Sequence, residues 1–293
     1  MTEPVILAGN AQHRGDRAQQ QDSFGFSNPD DPELRNRCGS LAVIADGMGG
    51  HALGRETSQI AVKTLVDGYP RKAPDEPVFT ALRRLTGEAN TAIRDLAAQE
   101  GQLDNAGTTL AAAVIHQQHL HWLSVGDSRI YLCHAGQVTQ LSVDHTYAHD
   151  LDCEVAAGLI DAADAAEHPE REALTSYLGI PELDRVDCGL HPALLQIGDR
   201  VLLCSDGLYR NLNEVELAAE LVRPDPQAAA EALLERALAR RRPYQDNLTV
   251  VILAVTEAPA AVGPDRRRAG IFAGAVLLAS IGLAARWWFG PWP

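Results

Sequence analysis

Residues 41–47 have the sequence LAVIADG, a run of five apolar residues that ends at Asp46 and Gly47. Short apolar runs that stop at a turn residue are typical of buried strands. The same arrangement returns at residues 201–207, VLLCSDG, and Asp246 stands just before the run LTVVILAV at 248–255. Three aspartates therefore mark junctions between a buried strand and a turn.

These strand-end aspartates predict a metal site. A sheet fixes the position of such carboxylates, and a neighbouring glycine lets a backbone carbonyl face the same space. One Asp-Gly pair at a strand end is usually only a turn, but the recurrence favours a cluster that needs cations. Mg²⁺ and Mn²⁺ prefer oxygen ligands, whereas zinc sites use histidine and cysteine. The sequence thus indicates a hard divalent cation.

The composition narrows the class of protein. The chain has 293 residues, is 46% hydrophobic and carries a formal charge of −14, which disfavours a general nucleic-acid binder because such proteins need clustered positive charge. Its five cysteines are scattered, so we expect reduced thiols in a cytosolic compartment. No basic segment leads into an apolar run at the N-terminus. We therefore expect the beginning of the chain to stay in the cytoplasm.

Helical and strand patterns are both present. A helix is expected from about Ala52 to Asp67, and apolar residues at steps of three and four predict an amphipathic helix from Val78 to Leu96. Short β-rich stretches follow over 108–141, and strand character returns near 200–204 and 248–255. Residues 145–175 are polar and alanine-rich, and we expect them to form a surface excursion.

The C-terminal segment has a different texture. Residues 257–268 have the composition of a linker and end in Arg266, Arg267 and Arg268. The apolar run that follows is uncharged from Ala269 to Ala285 and continues through Arg286 to Phe289. It predicts one transmembrane helix at 269–289, because about 20 residues span a hydrocarbon core of about 30 Å, and Arg286 can snorkel to the interface. The arginines place the N-terminal domain on the cytoplasmic side. A buried terminal helix is the alternative.

Seven segments resemble, in the same order, the motifs of bacterial PP2C (PPM) phosphatases, and the resemblance extends from Gly9 to Val255. The segments are RAQQQDS (17–23), DGMGGH (46–51), GTTL (107–110), GDSR (126–129), DHT (144–146), LCSDGL (203–208) and DNLT (246–249). Each of them is short enough to arise by chance. Seven in the right order over more than 200 residues are specific to the family.

The resemblance implies a fold and a set of roles. The fold is α+β, with a central antiparallel β-sandwich flanked by pairs of α-helices over residues 1–256, and residues of about 145–175 form a flap beside the active site. Arg17 and Asp46 are the expected catalytic residues, and Arg17 binds the substrate phosphate. The expected metal ligands are Asp22, Asp46, Gly47, Asp127, Asp206 and Asp246. Gln21, His51 and Asn247 are expected to support them.

The implied activity is hydrolysis of phosphoserine and phosphothreonine in proteins. A water activated at a dinuclear Mg²⁺ or Mn²⁺ site attacks phosphorus without a phosphoenzyme, and Asp127 implies a third, weaker cation. Family habit suggests that the enzyme opposes a bacterial serine/threonine kinase. With the predicted helix, it would be a single-pass protein of the inner (cytoplasmic) membrane whose catalytic domain lies in the cytoplasm.

Three residues depart from the family pattern. Gln21 stands where many relatives have glutamate, which removes one negative charge near the second metal. Met48 occupies the position of a histidine proposed as a general acid in eukaryotic relatives, and a thioether cannot donate a proton. Ser176 replaces a frequent arginine, so a phosphoprotein contact made by that arginine is in doubt.

Two other functions remain open at this point. The first is a pseudophosphatase that keeps the fold but works as a membrane-tethered adaptor, although an intact acidic cluster has little physical reason to persist without cations. The second is a metal-dependent hydrolase of nucleotides or small phosphate esters. No Gly-rich phosphate loop of the P-loop type accompanies the aspartates, so nucleotide specificity has no visible basis.

Overall fold

The computed structural model describes residues 4–27, 31–48, 53–103, 105–189 and 191–257. All of them fall within one compact unit, Met1–Ala258. His51 and the predicted transmembrane helix at 269–289 lie outside the described residues. Within the described ranges, no helix has the length and apolar character needed to cross a membrane.

Two antiparallel sheets form the centre of the domain. The first has five strands in the order β1 (Pro4–His13), β12 (Leu248–Glu257), β11 (Arg200–Cys204), β7 (Arg129–His134) and β8 (Gln137–Gln140). The second follows the order β10 (Ala193–Leu194), β6 (His119–Val125), β5 (Leu110–His116), β3 (Ser40–Met48) and β2 (Asp22–Phe26). Two short strands join the second sheet, because β4 (Gly107–Thr108) pairs with β3 and β9 (Asp187–Cys188) pairs with β6.

The described residues form eight α-helices, several of which cover the outer faces of the two sheets. They are α1 (Pro32–Cys38), α2 (Gly54–Gly68), α3 (Val78–Gln99), α4 (Tyr147–Ala156), α5 (Ala162–Ala166), α6 (Asp206–Tyr209), α7 (Glu214–Leu221) and α8 (Pro226–Leu238), with a short 3₁₀ helix at Tyr69–Arg71. α2 and α3 pack on the second sheet, and α7 and α8 pack on the first. The predicted α+β fold is confirmed, and both helices expected between residues 52 and 96 are present.

The continuous apolar runs of the central strands follow from this layering. In β3, Ala42 and Ile44 face the other sheet, while Leu41 and Val43 face α2 and α3. In the first sheet, β12 divides its residues in the same way between the sandwich interior and α8. Successive side chains of a strand point to opposite faces, so a strand covered on both faces needs apolar residues at every position.

The excursion between β8 and β9 contains α4 and α5. Its two ends meet in an isolated bridge between Thr146 and Leu174. The Thr146 side chain accepts a hydrogen bond from the His149 backbone N–H and caps α4. A second bridge, between Thr108 and Leu178, attaches the end of the excursion to β4. These bridges hold the base of the segment beside the strand end that carries Asp46.

Candidate active site

Strand pairing brings the predicted carboxylates to one end of the sandwich. β2 and β3 are antiparallel neighbours, and their register places Asp22 directly opposite Asp46. In the other sheet, β11 pairs with β12, so Asp206, at the start of α6, and Asp246, just before β12, lie side by side. The two sheets thus contribute two aspartates each to the same edge.

The backbone around Asp46 leaves no space for a side chain at the next position. A Cβ atom added to Gly47 would lie 1.8 Å from the carbonyl oxygen of Gly54. The Asp46 backbone N–H donates to the Thr109 hydroxyl at 2.9 Å, and the Asp46 carbonyl accepts from the Thr109 N–H at 2.9 Å. Glycine therefore allows the close approach of β3 to the first turn of α2, and Thr109 fixes Asp46 from the other side.

A cleft of about 310 Å³ opens at this edge. Its lining includes the predicted metal ligands Asp46, Gly47, Asp127, Asp206 and Asp246. Arg17, Gln21 and Asn247 line it as well. The structure therefore brings together every predicted site residue that it describes, with the exception of Asp22.

Asp22 lies behind the cleft and is only 5% exposed. Its Oδ2 accepts hydrogen bonds from the hydroxyls of Ser205, at 2.8 Å, and Thr249, at 2.7 Å. Its Oδ1 is buried and accepts no hydrogen bond from the part of the chain that the structure describes. Because Ser205 and Thr249 adjoin the ends of β11 and β12, Asp22 connects the second sheet to the first beneath Asp46.

The carboxylates raise one another's pKa. Burial raises the pKa of Asp22 to about 6, although the two hydroxyls oppose the shift. Burial also raises the pKa of Asp206 to about 7, with a contribution from the charge of Asp127. The pKa of Asp46 is well above its usual range, because of desolvation first and then the charges of Asp22 and Asp206. Such a cluster cannot stay fully ionised near neutral pH unless cations compensate its charge.

Two arginines hold the outer carboxylates. The Arg17 Nη2 contacts Asp246 Oδ2 at 2.6 Å, and the Arg210 Nε contacts Asp206 Oδ2 at 2.9 Å. In this arrangement, no three His, Cys, Asp or Glu side chains of the described ranges stand close enough together to ligate one ion.

The residues nevertheless fit a pair of divalent cations. Asp22 and Asp206 each keep a buried oxygen that accepts no hydrogen bond from the described residues. Burying carboxylate oxygens side by side without partners lowers the stability of the folded protein, unless a cation or a proton lies between them. Oxygen donors without histidine or cysteine suit Mg²⁺ or Mn²⁺.

Asp127 is connected to the first sheet through an aromatic ring. The Tyr209 hydroxyl donates to Asp127 Oδ2 at 3.1 Å. The Arg129 guanidinium lies 3.6 Å from the centre of the Tyr209 ring, and it pairs with both carboxylate oxygens of Asp144. The DHT segment at 144–146 therefore positions Asp127 indirectly, through Arg129 and Tyr209.

Asn247 holds the loop that carries Arg17. Its side-chain amide donates to the carbonyls of Arg14, at 2.7 Å, and Gln19, at 3.0 Å, and its Oδ1 accepts from the Gln21 backbone N–H at 2.7 Å. These three contacts fasten both ends of the loop. The orientation of Arg17 towards the cleft follows from them.

Sequence reasoning missed two charged residues of the cleft. Arg210 and Glu172 line it, and the Arg210 Nη2 contacts Glu172 Oε2 at 2.8 Å. Arg210 thus joins Asp206 to the flap. A signal for Arg210 existed in the sequence, because it follows Asp206 by four residues, the spacing at which side chains of one helix meet. Glu172 carried no such signal.

The structure also locates the residues that depart from the family pattern. Met48 lines the cleft and offers no proton. Ser176 is only 1% exposed and donates to the Arg185 carbonyl at 2.8 Å, so its hydroxyl has a structural partner outside the cleft. Position 176 therefore supplies no arginine to the cleft, but Arg210 lines the cleft from α6.

Comparison with known proteins gives consistent results. A family model described as protein phosphatase 2C matches residues 10–249. A serine/threonine phosphatase, stp, of Listeria monocytogenes is 32% identical over 252 residues, which cover 83% of this chain and 95% of the relative.

Solved structures give the same result. The crystal structure of the Mycobacterium tuberculosis serine/threonine phosphatase PstP/Ppp superposes with a TM-score of 0.70 and 30% identity, covering 86% of this chain and 100% of that one. The catalytic domain of a phosphatase PstP in complex with two manganese ions gives a TM-score of 0.69 and 29% identity, covering 87% of this chain and 100% of that one.

Proposed function

Because the chain belongs to the protein phosphatase 2C family, we propose that it hydrolyses phosphoserine and phosphothreonine in proteins with divalent cations as cofactors. The observation that carries this proposal is the set of carboxylates at the sandwich edge. Burial and mutual repulsion raise the pKa of Asp22, Asp46 and Asp206, and an arginine stands at the mouth of the same cleft. Cations and a phosphate group together complement that arrangement.

Asp46, the carbonyl of Gly47, Asp206 and Asp246 are the residues that would hold two cations, with Asp22 behind them. Asp127 would hold a third, weaker one. Bound Mg²⁺ or Mn²⁺ supplies positive charge that activates water and stabilises the charge developing on the phosphoryl oxygens. Thr109 keeps Asp46 oriented from its backbone side, and Asn247 keeps Arg17 at the cleft.

Arg17 is the residue that binds the substrate phosphate. Its side chain is 57% exposed and forms an ion pair with Asp246. An incoming phosphate can therefore take the place of the Asp246 carboxylate on the guanidinium. The planar guanidinium can hold two phosphate oxygens at once. This contact offsets the repulsion that a phosphate dianion meets beside several carboxylates. Because Met48 has no proton to give, the leaving-group alcohol must receive its proton from another donor.

The test is phosphate release from a phosphothreonine peptide by the full chain with Mn²⁺. We expect turnover that a chelator abolishes and that Asp206→Asn reduces by at least about 100-fold. Asp95→Asn, an exposed position on α3, is the matched control and should behave as the wild type. Preferential turnover of a nucleotide would favour the hydrolase of small phosphate esters. A folded, Mn²⁺-binding chain without turnover of either substrate would favour the adaptor.

We also propose that residues 269–289 anchor the enzyme to the inner membrane, with the domain of residues 1–256 in the cytoplasm. The support is the apolar run after Arg266–Arg268, in which Arg286 is the one charged residue, and the end of the compact unit at Ala258. Such an anchor would confine the phosphatase to the surface where membrane kinases act.

Removal of residues 257–293 tests the anchor. The shortened chain should leave the membrane fraction, keep its activity on a small phosphate ester and lose activity on a membrane-bound phosphoprotein. Equal loss of both activities would place the C-terminal segment in the catalytic fold, against the proposal.

A further inference from the structure

A second cavity adjoins the cleft. This cavity, of about 340 Å³, lies on the other side of Arg210, which lines both. Arg240 and Arg242 also line it, and Glu216 is its acidic residue. We call the surface formed by Arg210, Arg240 and Arg242, together with Arg241 of the adjoining cavity that Arg242 also lines, the arginine groove. A segment of a substrate protein that leaves the cleft past Arg210 would enter this groove.

The groove is positively charged in an acidic protein. Glu216 is already paired with Arg236, at 3.4 Å, and with Arg240. Arg242 and its neighbour Arg241 are exposed, and neither forms an ion pair with a described residue. The chain as a whole carries a formal charge of −14. The lining of this cavity has three arginines and one acidic residue, so a net positive surface beside the cleft is a local feature that general composition does not produce.

The loop that presents these arginines is fixed in position. Arg241 has a φ of 50° and Tyr244 a φ of 59°, values that side chains other than glycine rarely adopt. Gln245 secures the loop, since its backbone N–H donates to Asp16 Oδ2 at 2.9 Å and its side-chain oxygen accepts from Asn211 at 3.0 Å. The same hydrogen bonds tie the arginines to the loop that precedes Arg17.

A glutamate of the flap occupies the entrance to the groove. Glu172 places a carboxylate on Arg210 at 2.8 Å, and the two side chains are 67% and 41% exposed. Exposed ion pairs of this kind are weak, so a carboxylate from another chain can replace Glu172 without a large penalty. Glu172 thus occupies the position that an acidic residue of a bound substrate would take.

From these contacts we propose that the arginine groove binds an acidic segment adjoining the phosphorylated residue of the substrate protein. The proposal rests on the proposed phosphatase activity and adds a substrate class to it. Arg210 would contact the acidic residue nearest to the phosphorylated one, in the place of Glu172. Arg242 and Arg241 would then contact acidic residues farther along the segment.

The experiment compares three phosphothreonine peptides, in which the three residues that flank the phosphothreonine are all glutamate, all glutamine or all lysine. Each peptide is made in two versions, with the three residues before or after the phosphothreonine. With the full chain and Mn²⁺ at low ionic strength, we expect kcat/KM for the glutamate peptide to exceed that for the glutamine peptide by about tenfold on one side. The difference should lie in KM and should shrink at high salt.

The decisive variant is Arg241→Gln/Arg242→Gln, with Arg71→Gln/Arg83→Gln as the matched control. The control pair is exposed, lacks ion pairs with described residues and lines none of the cavities described. In the groove variant the ratio of the two kcat/KM values should fall below about threefold. The ratio does not depend on the fraction of active enzyme, so partial unfolding cannot imitate this result. An unchanged ratio, or the same fall in the control pair, would overturn the proposal.

Binding measured without turnover separates this proposal from the proposed function. Fluorescence anisotropy of the same labelled peptides in the presence of a chelator should show tighter binding of the glutamate peptide, and the groove variant should lose that advantage. If the chain hydrolyses no peptide but binds in this order, the phosphatase proposal fails while the groove is supported. Equal binding of the glutamate and glutamine peptides by the wild type would refute the groove whatever the activity.

Discussion

The replacement Asp22→Asn should stabilise the metal-free protein at alkaline pH. Asp22 is buried, and its pKa is raised from 3.8 to about 6. Below about pH 4 the carboxyl is protonated in both the folded and the unfolded chain, so its ionisation does not affect the free energy of unfolding. As the pH rises towards 6, the unfolded chain ionises first, and the folded protein loses stability until Asp22 is ionised in both states. The full cost is therefore present above the raised pKa.

The size of the effect follows from the two pKa values. The rise from 3.8 to about 6 is about 2 pKa units, and each is worth about 1.4 kcal/mol. Ionised Asp22 therefore lowers the free energy of unfolding by about 3 kcal/mol. Asparagine keeps an oxygen that accepts from Ser205 and Thr249, and the register lets its amide donate to Asp46, which lies opposite. The substitution thus removes the charge without removing the hydrogen bonds.

The assay is urea unfolding of the wild type and Asp22→Asn in a chelator, at intervals from pH 4.5 to 8. We expect the variant to be more stable by about 3 kcal/mol at pH 8, or about 6–12 °C in Tm, and by only about 1 kcal/mol at pH 4.5, where Asp22 is still protonated in the folded protein. Saturating Mn²⁺ should stabilise the wild type more than the variant, because Asp22 belongs to the cation-binding cluster. Asp95→Asn is the exposed control.

Two results would refute this reasoning. A variant that is less stable than the wild type at pH 8 would show that Asp22 is stabilising even when it is ionised. A constant difference between the two proteins across the pH range would show that the effect comes from packing and not from ionisation. In either case Asp22 could not be described as a buried charge that a cation compensates.

Three further predictions concern other residues of the cleft. Arg17→Lys keeps the charge but loses the planar fork, so we expect kcat/KM for a small phosphate ester to fall roughly 10- to 100-fold. Gly47→Ala places a Cβ atom 1.8 Å from the Gly54 carbonyl, and urea unfolding should show a loss of about 3 kcal/mol or more. Asp144→Ala removes the carboxylate that accepts three hydrogen bonds from the mostly buried Arg129, and the free energy of unfolding should fall by about 3 kcal/mol.

Each of these predictions has an outcome that contradicts it. Full activity of Arg17→Lys would show that the phosphate is held by charge alone. Wild-type stability of Gly47→Ala would mean that β3 and α2 can separate without cost. An unchanged free energy of unfolding in Asp144→Ala would mean that Arg129 gains nothing from its carboxylate partner. Asp95→Asn, an exposed position on α3, serves as the control for all three.

Local patterns in the sequence predicted much of the site. The three aspartates at the ends of apolar runs all line the cleft. An apolar run ends where its strand leaves the covered part of the sheet, and the cleft lies at that edge. Asp46, Asp206 and Asp246 are therefore predictable from composition and spacing. The resemblance to the phosphatase family added Arg17 and Asp127, whose positions depend on loops that no local pattern describes.

Other features depend on pairing between distant segments. The depth of Asp22 behind the cleft follows from the β2–β3 register and from two hydroxyls more than 180 residues away. The ion pair between Arg210 and Glu172 depends on how the flap lies over α6. The burial of Ser176 depends on its contact with the Arg185 carbonyl. A side chain's direction in such places is set by its tertiary partners, so spacing along the chain cannot supply it.

The position of β12 has a consequence for synthesis of the protein. The last strand of the domain lies between its first strand, β1, and β11, and Asp246 stands just ahead of it. A ribosome delivers residues in order, N-terminal first, so the first sheet stays in separate pieces until residue 257 has emerged. A nascent or prematurely terminated chain then has neither a complete sandwich nor a complete cation cluster. The cation cluster should consequently be completed only when β12 pairs with β1 and β11, and products that end before this strand should be inactive.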